Sequence, residues 1–271
     1  MAARRDAEGS LGVFAGELRY ARTRAGLSQD ELANKIAYSS SLVAMVETGK
    51  RMPTRDFAER CDEALAVDGL LTRMWPLVSR EAVPSWFREW VEIEREASSL
   101  RSWDPLLISG LLQIPEYAHE VLRRGQPGAS GSEIEQGVAA RMERQRILDR
   151  DNPPLLLAVL DEGTLRRKVV SSGVMAKQLA HLLEIAQQPK TMLQVVPAEA
   201  GAHAGMAGTM IIASFADGPD VAYLDTAVMG QLVERPDDVA QVARLYDTLR
   251  AEALPCGASA QLIEEVMGAW T

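Results

Sequence analysis

Aromatic residues make up only 5% of this 271-residue chain, so its cores have to be built mainly from Ala, Leu and Val. No run approaches the ~20 consecutive apolar residues that a bilayer-spanning helix needs, which predicts no membrane segment. The opening MAARRDAEGS is basic but lacks the apolar core of a secretion signal, and the expectation is a cytoplasmic protein. Cysteine is nearly absent. Cys61 and Cys256 lie far apart without pairing or metal-ligand spacing, which fits a reducing compartment. Cys61 falls on the apolar stripe of a predicted helix, where a small buried thiol is the plain reading. Histidine is as scarce, and His119, His181 and His203 show no metal-ligand spacing. A nucleophile elbow, a phosphate-binding loop and a dinucleotide fingerprint are all missing. These absences predict no enzyme, no cofactor and no metal.

What is present reads as globular. Apolar residues make up 47% and charged residues 25%, and the length allows about two domains. The net charge of −9 argues at first against a nucleic-acid partner. Dividing the chain removes the objection. Residues 1–80 carry 12 Lys+Arg against 11 Asp+Glu, whereas residues 81–271 carry 17 against 27. The acidity belongs to the second part, and the first can still present a modest basic face.

Segment 13–26 places Phe14, Leu18, Ala21 and Ala25 at helical spacing, with Arg19, Arg22 and Arg24 on other faces and Gly26 as a stop. Ser28 then opens SQDELANKI, and Glu31 three residues on completes a capping box. Leu32 and Ile36 supply the inward stripe. After a break at Ala37-Tyr38, Ser39 caps SSSLVAMVE, whose inward positions are Val43 and Val46 and whose left-handed exit residue is Gly49. Pro53 and Thr54 start helix 55–67, with Phe57, Cys61 and Leu65 inward. Two short helices joined by a tight turn and braced by flanking helices make a helix-turn-helix.

The run LSQDELANKIAYSSSLVAMVETGKRMPT, residues 27–54, resembles the Xre-type, phage-repressor-like family. The resemblance implies a DNA-binding face on double-stranded DNA and a homodimer reading half-sites. It implies that Gln29 clamps a phosphate, that Ser39, Ser40, Ser41, Ala44 and Met45 belong to the recognition helix, and that Lys50, Arg51 and Arg55 touch phosphates. Two positions depart from the pattern. Ala37 stands where the turn usually has Gly, so the turn is either strained or differently shaped. The reading positions include no Arg, Asn or Gln, so base discrimination is expected to lean on DNA shape and dimerisation.

Segment 68–85 reads as a connector with one short helix. Residues 86–100, WFREWVEIEREASSL, read as one long amphipathic helix, followed by an extended apolar stretch and a helix started by Pro115. Residues 123–132 read as a solvated loop, and 133–150 as a charged helix with a solvated face. Strands are expected at 154–161 and in TMLQVVP, as a hairpin in GTMIIASF and DVAYLD, and AVMGQLVE is a further candidate. Helices 236–253 and 258–270 close the chain. This predicts an all-α helix-turn-helix domain, 1–80, and an α+β domain with a largely antiparallel sheet, 81–271.

The elements WVEIEREA, SGLLQIPEYA, ARMERQRIL and LQVVP, with the strand-Asp-Glu-x-x-Leu of 157–165, resemble a domain of unknown function. That domain recurs behind Xre-type modules in antitoxin-like regulators of high-GC bacteria, and the resemblance implies a regulatory role with a small protein partner encoded nearby. Trp86, Trp90, Trp103, Tyr117 and His203 are candidate ligand contacts, although helical spacing makes core packing the commoner role for the rings. Asp161-Glu162 reads as helix capping. The competing function is an antitoxin-like module that sequesters a partner, with DNA contact secondary.

Overall fold

The computed structural model describes residues 9–81, 83–226 and 229–270. The chain divides into two compact units. One gathers the described residues up to 85 with residues 126–140, and the other holds 86–125 and the described residues from 141 onward. The sequence divides the chain once, at 80/81, whereas the structure returns 126–140 to the N-terminal unit. No helix among the described residues is long and apolar enough to cross a membrane.

The N-terminal unit contains α1 (Ser10–Arg24), α2 (Gln29–Ile36), α3 (Ser40–Glu47), α4 (Arg55–Leu65) and α5 (Leu70–Glu81). Phe14, Leu18, Leu32, Ile36, Val43, Val46, Phe57 and Cys61 form its core as their spacing predicts. Burial pushes the Cys61 thiol up to about 12, so it acts as a small apolar group and not as a nucleophile. The expected connector is instead the twelve-residue α5, which completes this core with Leu71, Trp75 and Val78. Two long-range contacts hold it. The Asp62 carboxylate accepts the Leu71 and Thr72 amides at 2.8 Å each, satisfying N–H groups that a helix start leaves orphaned. The Trp75 indole donates to the Pro53 carbonyl at 2.8 Å.

The second unit is built on a six-stranded sheet, β1 (Ser99–Asp104), β2 (Leu155–Asp161), β3 (Thr191–Val196), β4 (Met210–Ser214), β5 (Val221–Asp225) and β6 (Gly230–Val233), in the order β3-β2-β1-β4-β5-β6. The sheet is largely antiparallel as expected, but it is mixed. β1 pairs in parallel with β2, and β2 with β3, while β4, β5 and β6 continue antiparallel. What the sequence misses is β1: the helix expected over 86–100 ends at Glu96 as α6 (Ser85–Glu96), and SLRSWD, of which only the first two residues fall in that helix, forms the strand that pairs in parallel with β2. The AVMGQLVE strand is present as β6, with Ala227 and Val228 outside the described residues.

Alternation along the strands gives each face its own core. Leu100, Leu156, Leu160, Val195, Ile211 and Tyr223 face Trp90 of α6 and residues of α7 (Pro115–Gly125), α10 (Ser172–Ala186) and α12 (Cys256–Gly268). Trp103, Val159, Met210, Ile212 and Ala222 face Val239, Val242, Tyr246 and Leu249 of α11 (Pro236–Ala251). The loop expected over 123–132 shrinks, because α7 runs to Gly125 and α8 (Gly131–Gln145) starts behind a Ser130–Glu133 capping box. The solvated face expected for 133–150 is corrected as well. Arg144 Nε lies 2.6 Å from Glu94 Oε2, with both side chains nearly buried, and Arg141 donates to Gln113 Oε1 at 2.5 Å. Burial lowers the Arg141 guanidinium to about 10.

Candidate nucleic-acid interface

The two short helices are fixed from their own ends. Ser28 Oγ accepts the Glu31 amide at 3.1 Å while Glu31 Oε2 accepts the Ser28 amide at 2.7 Å, the reciprocal box that the sequence predicts. Ala37 then takes up the left-handed conformation, φ 57° and ψ 44°, and turns the chain. Ser39 Oγ accepts the Leu42 amide at 3.3 Å and lies 3.1 Å from Ser41 Oγ, so its hydroxyl is committed to starting α3. At the far end the Lys50 amide donates to Met45 O and the Gly49 amide to Val46 O, with Gly49 at φ 67°. This is the Schellman closure that needs a residue free to enter positive φ.

Packing fixes the angle between the helices through one buried ion pair. Glu47, 6% exposed, receives Arg22 Nε at 2.5 Å and a second Arg22 nitrogen at 2.9 Å, and the Gln29 amide donates to it at 2.8 Å. Burial pushes the Glu47 carboxyl up, but the Arg22 and Gln29 hydrogen bonds with the Arg22 charge outweigh it and hold it below the usual range. Arg22 also donates to the Leu27 carbonyl at 2.7 Å. The side chains that orient α1, α2 and α3 are therefore locked to one carboxylate.

The surface left outside this network is distinctive. On α3, Ser41 is exposed, Ser40, Ala44 and Met45 are half-buried, and the only charge in the helix is the buried Glu47. Lys50 is exposed, Arg51 half-buried, and neither makes an ion pair among the described residues. Arg55 reaches Glu59 at 2.7 Å, which offsets part of its charge. Gln29, expected as a phosphate clamp, uses one amide hydrogen on Glu47 and keeps the other, since an amide nitrogen carries two.

The second unit separates its candidate residues instead of gathering them. Trp90 stacks on Tyr223 at 5.2 Å and belongs, with Tyr117, to the core of one sheet face. Trp103 lies on the opposite face and donates to the Gly205 carbonyl at 2.8 Å. His203 meets Trp103 edge-on at 5.3 Å, and its Nδ1 accepts the Gly205 amide at 3.2 Å while Nε2 lies 3.8 Å from Asp161 Oδ2. Trp86 alone among the five is exposed, at 41%. Trp90, Tyr117 and Trp103 thus pack the core on two sides of the sheet, the commoner role that their spacing suggests. A cleft of about 640 Å³ does occur elsewhere, lined by Gln145, Asp149, Arg150, His181, Glu184 and Lys190 among others. Asp161 caps α9 (Glu162–Arg166) by accepting the Gly163 amide at 2.7 Å, as expected.

Residues 13–75 match the family model of a helix-turn-helix domain, and residues 87–265 match that of a domain of unknown function, DUF5753. The chain belongs to the DUF5753 family. No curated protein and no solved structure matches it.

Two features escape the sequence reading. In the helix-turn-helix domain the Arg22–Glu47 pair goes unrecognised, although Glu47 sits four residues after Val43 on the inward stripe of α3. A charge at such a place signals a buried partner. In the DUF5753 domain the buried polar groups of β1 and β5 go unrecognised, because β1 is not read as a strand.

Proposed function

We propose that the chain is a sequence-selective, DNA-binding transcription regulator of Xre-like type, cytoplasmic, dimeric on DNA and without enzymatic activity. The N-terminal half of α3 enters the major groove, where Ser40, Ser41, Ala44 and Met45 meet base edges and thymine methyls. Gln29, Lys50, Arg51 and Arg55 hold the flanking phosphates, and Ser39 keeps the helix start in shape. The DUF5753 domain receives the signal from a ligand or a small protein. The observation that carries this reading is the surface around α3: a capped helix start free of acidic side chains, beside Lys50 and Arg51 with no ion pair to neutralise them.

The uncharged reading face also favours a second reading, an antitoxin-like module that sequesters a protein partner. Fluorescence anisotropy against the upstream DNA of its own gene and a scrambled duplex, over a salt series, separates the two. The expected outcome is selective binding with a steep salt slope. Ser40→Glu should weaken it at least about tenfold by placing a charge against the phosphates, and Arg51→Ala should weaken all sequences alike. Equal, weak binding to both duplexes that Ser40→Glu leaves unchanged sinks the DNA reading.

A further inference from the structure

The strand order of the DUF5753 sheet reverses beside β1, which has β2 on one side and β4 on the other. In open α/β sheets the connections diverge at such a point, and ligands bind beyond the C-terminal ends of the strands there. β5 runs parallel to β1, because each is antiparallel to β4, so Asp104 and Asp225 end their strands at the same edge. Both lie on the face that carries Leu100 and Tyr223. One step back along the strands, Ser102, Ile211 and Tyr223 stand in one row across β1, β4 and β5.

Ser102 Oγ and Asp104 Oδ2 are buried without a hydrogen-bond partner among the described residues, and the Tyr223 hydroxyl is buried beside the Asp225 carboxylate. Ser102 is 3% exposed and Tyr223 1%. A Cβ at position 230 would collide with the Tyr223 hydroxyl, so Gly230 is what lets the phenol end reach this spot. The charges are unbalanced too. Glu94, Asp104 and Asp225 supply carboxylates, while the Arg144 guanidinium is committed to Glu94 and to the Phe87 ring 5.0 Å below it. Phe87, Trp90 and Tyr223 line up as rings in contact, with centroids 5.3 and 5.2 Å apart.

We propose that Ser102, Asp104, Tyr223 and Asp225 form a binding site for a small organic ammonium, a primary amine carried on an aromatic or apolar body. An ammonium brings three donors and no acceptor, matching Ser102 Oγ and Asp104 Oδ2, which have no partner among the described residues, with the Asp225 carboxylate beside them. Its charge answers the carboxylates left over by Arg144, and its apolar body suits the rings. Burial, with the charges of Asp225 and Glu94, raises the Asp104 carboxyl to about 7 against the pull of Arg144 and Ser109. A bound cation would return it to the ionised form and release its proton. The site deepens the signal-receiving part of the regulator reading and rests on that reading only for what binding would accomplish.

The test is isothermal titration of the full chain with benzylamine at pH 7 in physiological salt, without DNA. Benzyl alcohol serves as the uncharged counterpart. Saturable one-to-one binding of benzylamine is expected, at least tenfold tighter than the alcohol. Its heat should vary with the ionisation enthalpy of the buffer, because a proton leaves. Asp104→Asn and Asp225→Asn should each cost tenfold or more in affinity, and Asp104→Asn should melt no lower than the parent. No saturable heat with benzylamine, equal binding of amine and alcohol, or affinity unchanged in both variants would each overturn the proposal. An Asp104→Asn protein that melts lower and whose parent binds no amine would make Asp104 a structural group. A flat titration leaves the DNA reading intact, since no DNA is present.

Discussion

In the helix-turn-helix domain, Glu47 and Asp62 are 6% and 7% exposed, and every oxygen of both carboxylates has a donor. In the DUF5753 domain, Ser102 is buried more deeply still, at 3% exposed, yet its hydroxyl and Asp104 Oδ2 have no partner among the described residues. The same physics gives these two arrangements opposite meanings. A buried carboxylate with all its donors ties together the elements that supply them, so removing it damages the fold. A buried polar atom without a partner costs stability as it stands, so neutralising it should be tolerated. The first domain uses its buried polarity to hold a shape, and the second keeps its own unspent.

The sharpest way to break this contrast is Glu47→Ala. It leaves Arg22 only 13% exposed without its counter-charge and frees the Gln29 amide, so the loss should be about 3 kcal/mol, as for other broken buried pairs. Urea denaturation followed by circular dichroism measures it. A loss below about 1 kcal/mol would mean that the pair does not hold the bundle. The same pair has a pH signature. Because the folded carboxyl lies below its unfolded value of about 4.3, its contribution is complete above that pH and is lost as the pH falls through the lower, folded value. Acid unfolding of the parent should therefore be steeper than that of Glu47→Ala.

Next in size is Asp62→Ala, which orphans the Leu71 and Thr72 amides at the start of α5 and should cost about 2 kcal/mol. The expected outcome is a lower urea midpoint, with the signal of Trp75 changing early because its helix is the one released.

Nearly all of the helix-turn-helix domain is legible in the sequence, because its determinants are local. Ser28 with Glu31, Ser39, Gly49 and Thr54 each act within a few residues, and a capping box or a left-handed exit has a recognisable spelling. What fails there is long-range: α5 looks like a linker until Asp62 and Trp75 are seen holding it. The sheet domain fails for the same reason on a larger scale. β1 has polar Arg101 and Ser102 in its middle and borrows its strand character from β2 and β4, which lie far away in sequence. Trp90, Trp103 and Tyr117 look alike as large apolar residues on periodic segments, and only the sheet decides which face each one packs. The polar row at Ser102 and Asp104 could not be read at all before β1 was known to be a strand.

The smallest predicted effect tests places where the legible domain departs from its own rules. Gly26 and Gly49 take positive φ in this bundle, as glycine does freely, but Ala37 and Ala66 adopt φ 57° and 52° with a Cβ. An L-residue there costs about 1–2 kcal/mol, and replacing it with Gly returns that strain less about 0.5–1 kcal/mol of added freedom in the unfolded chain. Ala37→Gly should therefore stabilise the protein by about 0.5–1 kcal/mol, and Ala66→Gly by a similar amount. The two sites differ in what they join. Ala37 sets the angle between α2 and α3, whereas Ala66 closes α4 away from the reading face. If the turn conformation is held by the Arg22–Glu47–Gln29 network, Ala37→Gly should raise the urea midpoint and leave DNA affinity unchanged, as Ala66→Gly should. A stabilised Ala37→Gly protein with weaker DNA binding would show that the Cβ itself stiffens the angle, and that the strain is retained for reading DNA.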